Sequence, residues 1–225
     1  MARVLKTRTD FLSFGTELRI DELKNYLETL KQQLEIIARD YEKNVEEEAR
    51  KIEDEHARDE FYEWSGERHW NYTKTFPRIL LNSFHVMAYT LLESEIYSLA
   101  ILVGKKQNQI FDVSDLGGRE YLRNASYYIN KLTQVKAQDF RSWNSIDDGR
   151  QIRNIIVHSN GLITSQHDFD LAKKYGFIDK STIDFPSVRP TERLSITYEY
   201  CQSFLVTLKE FFSELYSGMK AGDFL

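Results

Sequence analysis

Apolar residues in the first part of the chain recur at alternating spacings of three and four positions, which is a heptad pattern and predicts a long helix. The series is Ile20, Leu23, Leu27, Leu30, Leu34, Ile37 and Tyr41. A thinner stripe continues through a strongly charged stretch as far as Trp64. An unbroken helix to Trp64 would be about 65 Å long, so its far half either protrudes or pairs with another chain. The alternative is a bend near Val45 that lays both halves on the core.

A second apolar segment follows a predicted break at Ser65-Gly66. Pro77 suits the first turn of a new helix, because its missing N–H is not needed there. From Pro77 to about Gly104 the sequence is apolar on nearly every side, which predicts the central core helix. Glu93 and Glu95 interrupt this pattern, so each either faces water or meets a cation. His85, on the same helix, is expected to be a hydrogen-bonded core histidine.

The middle of the chain predicts a helix from about Leu116 to Val135, capped by Ser114 or Asp115. Arg119, Arg123 and Lys131 are predicted to point outward, and three tyrosines are interleaved with these cations along the sequence. They are Tyr121, Tyr127 and Tyr128. Aromatic side chains among basic residues stack on nucleic-acid bases, although tyrosines on a helix also pack against neighbouring elements.

The pattern fades from Thr164 to Arg193, which predicts a long loop. Within it, Phe177-Ile178 and residues 182–185 are candidates to pair with Leu194–Ile196 as a small β-hairpin. A last amphipathic helix from Tyr198 is predicted to stop near Ser217-Gly218. The predicted fold is therefore an all-α helical bundle with a long N-terminal heptad helix. Residues 1–76 would form a charged extension and residues 77–225 the helical core, together one domain.

Composition narrows the classes of function. The 225 residues are 41% hydrophobic and carry a net charge of −5, so one good core is expected and any nucleic acid must bind to a local patch. Cys201 is the only cysteine and lies in an apolar pattern, which predicts a buried thiol and a reducing, cytoplasmic location. No signal peptide or membrane span is expected.

The sequence lacks the motifs of several well-known classes of active site. We find no glycine-rich phosphate loop, no His-Glu-x-x-His, no paired cysteines and no Gly-x-Ser-x-Gly. Five scattered histidines without ligand spacing argue against a protein-bound transition metal. The inventory fits a mechanism that needs neither a metal nor a cofactor.

One stretch, from Arg150 to Gly161, concentrates polar chemistry on a helix. At about 100° per residue of helix, Ile152, Ile155 and Ile156 fall on one side. On the opposite side, polar residues recur at positions i, i+4 and i+8. That face carries Arg150, Arg153, Asn154 and His158, with Val157 in its middle. A lone valine there indicates that something covers the face, such as a second subunit. Asn160-Gly161 then ends the helix, because glycine readily adopts a left-handed conformation.

The position of His158 suits proton transfer. Helix carbonyls in the last turn favour the imidazolium form, whereas nearby arginines disfavour it. A histidine that titrates near neutral pH is what general acid or base chemistry needs, and the arginines suit a phosphate. The alternative is a charged, solvated helix face.

Arg153-Asn154, three residues and His158, followed by Ser-Asn-Gly, resembles the motif of the HEPN superfamily (higher eukaryote and prokaryote nucleotide-binding domains). The spacing of arginine and histidine also occurs at Arg50 and His56, and at Arg78 and His85. Only Arg153 is followed by a polar amide and has its histidine at a glycine-terminated helix end. The resemblance covers roughly residues 79–215 and is specific only at the motif.

The resemblance implies an all-helical, metal-independent endoribonuclease that cleaves RNA through attack by the 2′-hydroxyl. By it, Arg153, Asn154 and His158 are expected to be catalytic, with Arg150, Arg119 and Arg123 binding RNA and Glu93 or Glu95 in support. Family members of this kind act as homodimers, commonly as toxins or in antiviral defence, often restrained by a regulatory protein. Asn160 stands where one subset has a tyrosine, which leaves a non-catalytic HEPN-like scaffold or nucleotide-binding subunit as the alternative.

Overall fold

A long N-terminal helix, α1, runs from Arg8 to Ala49 in the computed structural model, which describes residues 7–118, 120–179 and 193–225. Thr7 starts it with a reciprocal pair of hydrogen bonds to Asp10. Only the first half of the helix lies in the core, where Ile20 and Leu27 are fully buried. In this half α1 packs antiparallel to the last helix of the chain.

The second half of α1 belongs to a helical hairpin. The chain turns over between residues 50 and 54, and α2 (Glu55–Trp70) returns antiparallel along α1. Tyr41 donates a hydrogen bond to the carbonyl of Ser65, and Glu42 pairs with His69. Of the two alternatives for this stretch, the unbroken helix to Trp64 is therefore excluded, and the chain reverses after Ala49 instead of bending near Val45. The paired segment, residues 34–75, is called the arm below.

The predicted break at Ser65-Gly66 was also wrong, because α2 runs straight through it. A serine and a glycine each cost a helix at most about 1 kcal/mol, and contacts with α1 stabilise this turn. A single π turn at Asn71–Thr75 then joins α2 to α3 (Phe76–Lys106). Pro77 explains it, since a proline ring clashes with the carbonyl four residues earlier and the wider turn relieves the clash.

Helix α3 is the central helix that the apolar pattern predicts, and it packs against α1 and the three longer helices that follow. The continuous helical path Glu55–Lys106 is long and apolar enough to cross a membrane by length and composition alone, a test that core helices also pass. His85 is buried on α3, and its Nε2 hydrogen-bonds the carbonyl of Gly149 at 2.9 Å. The prediction of a hydrogen-bonded core histidine is confirmed.

Helix α4 spans Tyr121–Thr133 and begins later than predicted. The residues proposed as its cap form a 3₁₀ turn at Val113–Asp115 instead, and Gly118 with φ +102° separates this turn from the helix. A second 3₁₀ turn at Ala137–Asp139 leads to α5, Trp143–Ser159. Helix α5 carries the motif and continues unbroken through Gly149.

The segment predicted to be a loop contains a short helix, α6, at Gln166–Lys174. Ser165 caps it by accepting a hydrogen bond from the amide of Asp168. Strands β1 (Ile178–Asp179) and β2 (Arg193–Leu194) pair antiparallel, with Ile178 opposite Leu194, as the predicted hairpin requires. Residues 182–185 of that prediction lie outside the described residues.

The last helix, α7, runs from Tyr198 to Ala221, past the predicted stop at Ser217-Gly218. A side chain on Gly218 would press on Val135 at 3.1 Å, so glycine permits close packing here and does not end the helix. Cys201 is buried on α7, and burial raises the pKa of its thiol to about 12. The fold is an all-α helical bundle, as the sequence predicts.

Candidate functional site

Helix α5 presents the motif as its periodicity predicts. Ile152 and Ile155 are buried in the core, and the polar residues lie on the opposite side. The helix ends where Asn160 and Gly161 both adopt left-handed conformations, with φ of +50° and +76°. The amide of Gly161 reaches back to the carbonyl of Ile155, which completes the cap.

The polar face of α5 forms one wall of an open cavity of about 430 Å³. The start of α4 forms a second wall, and α3 contributes one acidic side chain. The lining residues are Glu93, Glu120, Tyr121, Leu122, Arg123, Arg150, Arg153, Asn154, Val157 and His158. All three motif residues and two of the three arginines predicted to bind RNA therefore face the same cavity.

Arg153 and Asn154 are linked to each other at the centre of this cavity. The Arg153 Nη1 donates a hydrogen bond to Oδ1 of Asn154 at 3.0 Å. The buried Nε of Arg153 has no hydrogen-bond partner within the described residues. Because the Asn154 oxygen is engaged, its amide N–H groups remain as donors, and the guanidinium keeps further donors. The pair therefore presents N–H groups suited to phosphate oxygens.

A carboxylate from inside α5 holds two further arginines. Asp147 accepts a hydrogen bond from Nε of Arg150 at 2.9 Å and lies 3.5 Å from Nη2 of Arg123 on α4. Its other oxygen accepts from Gln151 at 3.1 Å. Burial acts to raise the pKa of Asp147, but these bonds together with the charge of Arg123 hold the pKa below its usual range. Asp147 is therefore an anion that fixes both guanidinium groups.

Glu93 gives the cavity an acidic group beside Arg153. Burial raises the pKa of Glu93, and the positive charge of Arg153 only partly opposes this rise. One turn earlier on α3, the buried hydroxyl of Tyr89 has no hydrogen-bond partner among the described residues. Burial and the nearby Glu93 charge raise the pKa of Tyr89, which keeps its hydroxyl protonated. Glu93 thus adds an acidic group to the lining, and Tyr89 lies buried beneath it, within electrostatic range of Arg150 and Arg153.

His158 occupies the last turn of α5 and is exposed. No hydrogen bond to its ring occurs within residues 7–118, 120–179 and 193–225. Its two nitrogens are therefore accessible to a ligand in the cavity. This histidine differs from His85, where burial lowers the pKa to about 4 despite the hydrogen bond to Gly149. A neutral, enclosed imidazole such as His85 is unsuited to proton exchange with a substrate.

Two predicted site residues are not part of this cavity as described. Glu95 faces α1, where it accepts hydrogen bonds from Thr16 and Arg19, each at 2.8 Å. The prediction of Glu95 as a supporting residue was wrong, because residues two apart on a helix project to nearly opposite sides. Arg119 lies outside the described residues.

Asp147 and Glu120 are two functional residues of the site that the sequence pattern did not single out. The spacing of Asp147 and Arg150, three residues apart on a helix, is the signal that finds their ion pair. The link from Asp147 to Arg123 joins two helices, and no local spacing reveals it. The other two arginine–histidine spacings do not form such a site, since His85 is buried and His56 is an exposed residue near the far end of the arm.

Fold and site together define an all-α protein with a cavity rich in arginine, an accessible histidine and an amide. Comparison of the chain with protein-family models, with curated proteins and with solved structures gave no match. Within the described part of the chain, no three His, Cys, Asp or Glu side chains cluster so as to bind a metal ion. The arginines and the amide suit an anion such as a phosphodiester, and the histidine is placed to transfer a proton to or from it.

Proposed function

We propose that this protein is a metal-independent endoribonuclease of the HEPN type. The observation that carries the proposal is that Arg153, Asn154 and His158 line one cavity together with Arg150 and Arg123. The accessible imidazole can transfer protons, and the guanidinium groups and donor amide can stabilise the negative charge that develops in phosphodiester transesterification. We infer RNA as the substrate from the resemblance of the motif to that of HEPN ribonucleases.

The proposed reaction is an internal transesterification. The 2′-hydroxyl oxygen attacks the adjacent phosphorus and loses its proton, while the 5′-oxygen of the next nucleotide leaves and gains one. The products are a 2′,3′-cyclic phosphate and a 5′-hydroxyl. His158 moves a proton, Arg153 stabilises the negative charge that develops on the phosphorane, and Asn154 hydrogen-bonds the phosphate. Arg150 and Arg123 bind the RNA backbone.

The distribution of charge supports a local binding site. The arm, residues 34–75, contains thirteen acidic and seven basic residues, a net charge of −6, whereas the whole chain carries −5. The remainder, with 23 basic and 22 acidic residues, is thus close to neutral, and three of its arginines line the cavity. Glu93, Glu120 and the ion-paired Asp147 offset much of the charge of these arginines. RNA binding by this protein would therefore depend strongly on these few arginines.

The proposal is tested by cleavage of a mixed RNA pool with the wild type, His158→Ala and Arg153→Ala. Loss of one catalytic group is expected to lower the rate by about 10²–10⁴-fold. His56→Ala is the matched control, because His56 is 86% exposed in the arm and belongs to the same spacing pattern with Arg50. Equal rates for His158→Ala and His56→Ala would contradict the assignment of His158.

The proposal includes a homodimer in which motif helices of two subunits face each other. Val157 supports this part, since it is 48% exposed among the polar groups of the motif face. Val157→Asp is then expected to give monomers in analytical ultracentrifugation. Val206→Asp is the control, because Val206 is similarly exposed, at 55%, on α7. A wild-type monomer, or equal effects of both changes, would contradict the proposed interface.

A second candidate is a non-catalytic helical scaffold or nucleotide-binding subunit that recruits a partner protein. The arm favours it, because large apolar side chains are exposed there, including Trp64 at 60%.

A third candidate is a purely structural protein whose chains pair through the heptad helix, and such a protein would not cleave RNA at all. Dimerisation lost on removal of the arm, with RNA cleavage unchanged, would assign separate roles to the arm and the motif. A toxin or antiviral role restrained by a regulatory protein belongs to the first proposal.

A further inference from the structure

The cavity extends well beyond the motif residues that the proposed chemistry uses. Its volume of about 430 Å³ falls within the range of small-molecule sites. Arg150 lies eight residues before His158 on α5, about 12 Å at the rise of a helix. Arg123 from α4 meets Arg150 at this outer end through Asp147, and Tyr121 lines the α4 side of the same cavity. It has room for groups of the substrate other than the phosphate that reacts.

Two arginines from different helices meet at this outer end. Asp147 accepts from Nε of Arg150, so both terminal nitrogens of that guanidinium remain available as donors. Arg123 contacts Asp147 at 3.5 Å and Glu120 at 3.3 Å. The side chains of Arg123 and Glu120 are 47% and 56% exposed, and such surface pairs contribute little free energy. A phosphate would therefore displace Glu120 readily from Arg123.

An aromatic ring lines the same cavity as these arginines. Tyr121 lines the cavity two residues before Arg123, and its side chain is 54% exposed. The ring of Tyr97 packs against it with an interplanar angle of 80° and a centroid distance of 6.2 Å. This contact supports the ring from one side while half of its surface stays open. A supported, half-exposed aromatic ring next to phosphate-binding groups is the arrangement on which unpaired bases stack.

We infer that the outer end of the cavity is a nucleotide subsite, in which Tyr121 stacks on an unpaired base while Arg123 and Arg150 bind its phosphate. The substrate class is then single-stranded RNA. In a double helix each base is already stacked on its neighbours and cannot be splayed onto a side chain. The inference rests on the proposed function for the identity of the ligand as RNA.

The test measures binding without cleavage. The probe is a fluorescein-labelled 2′-O-methyl RNA of about ten nucleotides, which has no 2′-hydroxyl to react, used as a single strand and as a duplex. Fluorescence anisotropy is expected to show tighter binding of the single strand. Tyr121→Leu is expected to weaken that binding about tenfold. Tyr127→Leu is the control and should bind as the wild type, since Tyr127 is 50% exposed on the same helix but outside the cavity.

Substitutions of Arg123 and of Glu120 are expected to change the affinity for RNA in opposite directions. Arg123→Gln should weaken binding and lower the salt dependence by about one phosphate contact. Glu120→Gln should strengthen binding, because it removes the competitor for Arg123. Glu120 is the N-cap residue of α4, but its side chain makes no capping hydrogen bond that the substitution would lose. A role of these residues in folding alone would not produce opposite signs.

Equal affinity for single strand and duplex, or equal effects of Tyr121→Leu and Tyr127→Leu, would overturn the subsite. No binding of the single strand by the wild type would do the same. These outcomes are independent of the proposed reaction. RNA cleavage that Tyr121→Leu leaves unchanged would remove the subsite and keep the nuclease, whereas selective binding without any cleavage would keep the subsite and remove the nuclease.

Discussion

Gly149 lies in the middle of the motif helix because two helices approach closely at that point. A side chain there would meet Phe204 of α7 at 2.5 Å. Phe204 is buried against the rings of His85, Tyr89 and Tyr200, so it cannot move aside cheaply. We expect Gly149→Ala to lower the free energy of unfolding by about 1–3 kcal/mol, measured by urea denaturation.

Gly66 is the matched control for this prediction. It also lies inside a helix, α2, but a side chain there would meet nothing within 4 Å. Gly66→Ala is therefore expected to stabilise the protein by up to about 1 kcal/mol, because alanine loses less entropy on folding. Equal effects at the two positions would show that helix propensity, and not the contact with Phe204, decides the role of Gly149.

His85 makes stability depend on pH. Burial lowers its pKa in the folded protein to about 4 from the ordinary 6.5. Between these values the unfolded chain binds a proton that the folded protein does not. The stability associated with the neutral ring is thus fully present above pH 6.5 and is lost as the pH falls toward 4. We expect a contribution of up to about 1.4 kcal/mol per pH unit, measured as the unfolding free energy across this window.

His85→Gln separates this contribution from that of the carboxylates. Glutamine is neutral and retains an N–H donor for the carbonyl of Gly149, so the variant should show a flatter pH dependence between pH 4 and 6.5. An unchanged slope in the variant would mean that other groups cause the pH dependence. The sequence predicted the burial of His85 from the apolar pattern of its helix, but not its partner 64 residues away.

At the scale of whole elements, the heptad series of α1 serves two different structures. Leu27 is fully buried in the core, whereas Ile37, in the same series, is 43% exposed in the arm. Leu27→Ala is expected to cost about 2–5 kcal/mol of unfolding free energy, because it leaves a cavity. Ile37→Ala should change stability by less than about 0.5 kcal/mol. Thermal or urea unfolding of both variants is the measurement.

Comparable destabilisation by the two changes would mean that the arm is as tightly packed as the core. A large effect of Ile37→Ala on oligomeric state, with little effect on monomer stability, would instead assign the arm to partner contacts. The heptad pattern itself does not distinguish these cases. It reports that one face of the helix is apolar, and not what packs against that face.

Local sequence signals predicted the elements that depend on local chemistry. The motif helix, its ending at Asn160-Gly161 and the pairing of Ile178 with Leu194 all follow from periodicity and turn residues. The reversal after Ala49 and the course of α2 through Ser65-Gly66 depend on contacts between α1 and α2. The nine-residue helix α6 is too short for a clear apolar period. Such features are determined by tertiary packing.

The site also contains some residues that the sequence predicts and others that only tertiary packing brings in. One helix brings Arg150, Arg153, Asn154 and His158 together, so their spacing alone predicted that they share a face. Glu93, Arg123 and Tyr121 join them from two other helices, and only the packing of α3 against both α4 and α5 explains their presence. Asp147 connects the two groups through its contacts with Arg150 and Arg123.

At the scale of the whole molecule, the net negative charge lies in the arm, and the rest of the chain, which includes the cavity, is close to neutral. Neutralising Glu46, Glu47 and Glu48 in the arm should speed the association of single-stranded RNA at low salt by reducing long-range repulsion. The effect should disappear near 0.5 M salt, because charges are then screened over less than about 10 Å. Stopped-flow association rates at both salt concentrations test this expectation. An effect that persists at high salt would indicate direct contact between the arm and RNA.

The chemistry of the cleaved ends tests the central claim most directly. The wild type is incubated in EDTA with an RNA and with the same RNA carrying 2′-deoxy nucleotides at the sites of cleavage, and the product ends are identified by mass spectrometry. We expect cyclic phosphates from the RNA, and no cut at the deoxy positions. Cleavage at deoxy positions, or ends that carry no cyclic phosphate or its hydrolysis product, would contradict attack by the 2′-hydroxyl and the roles given to Arg153 and His158.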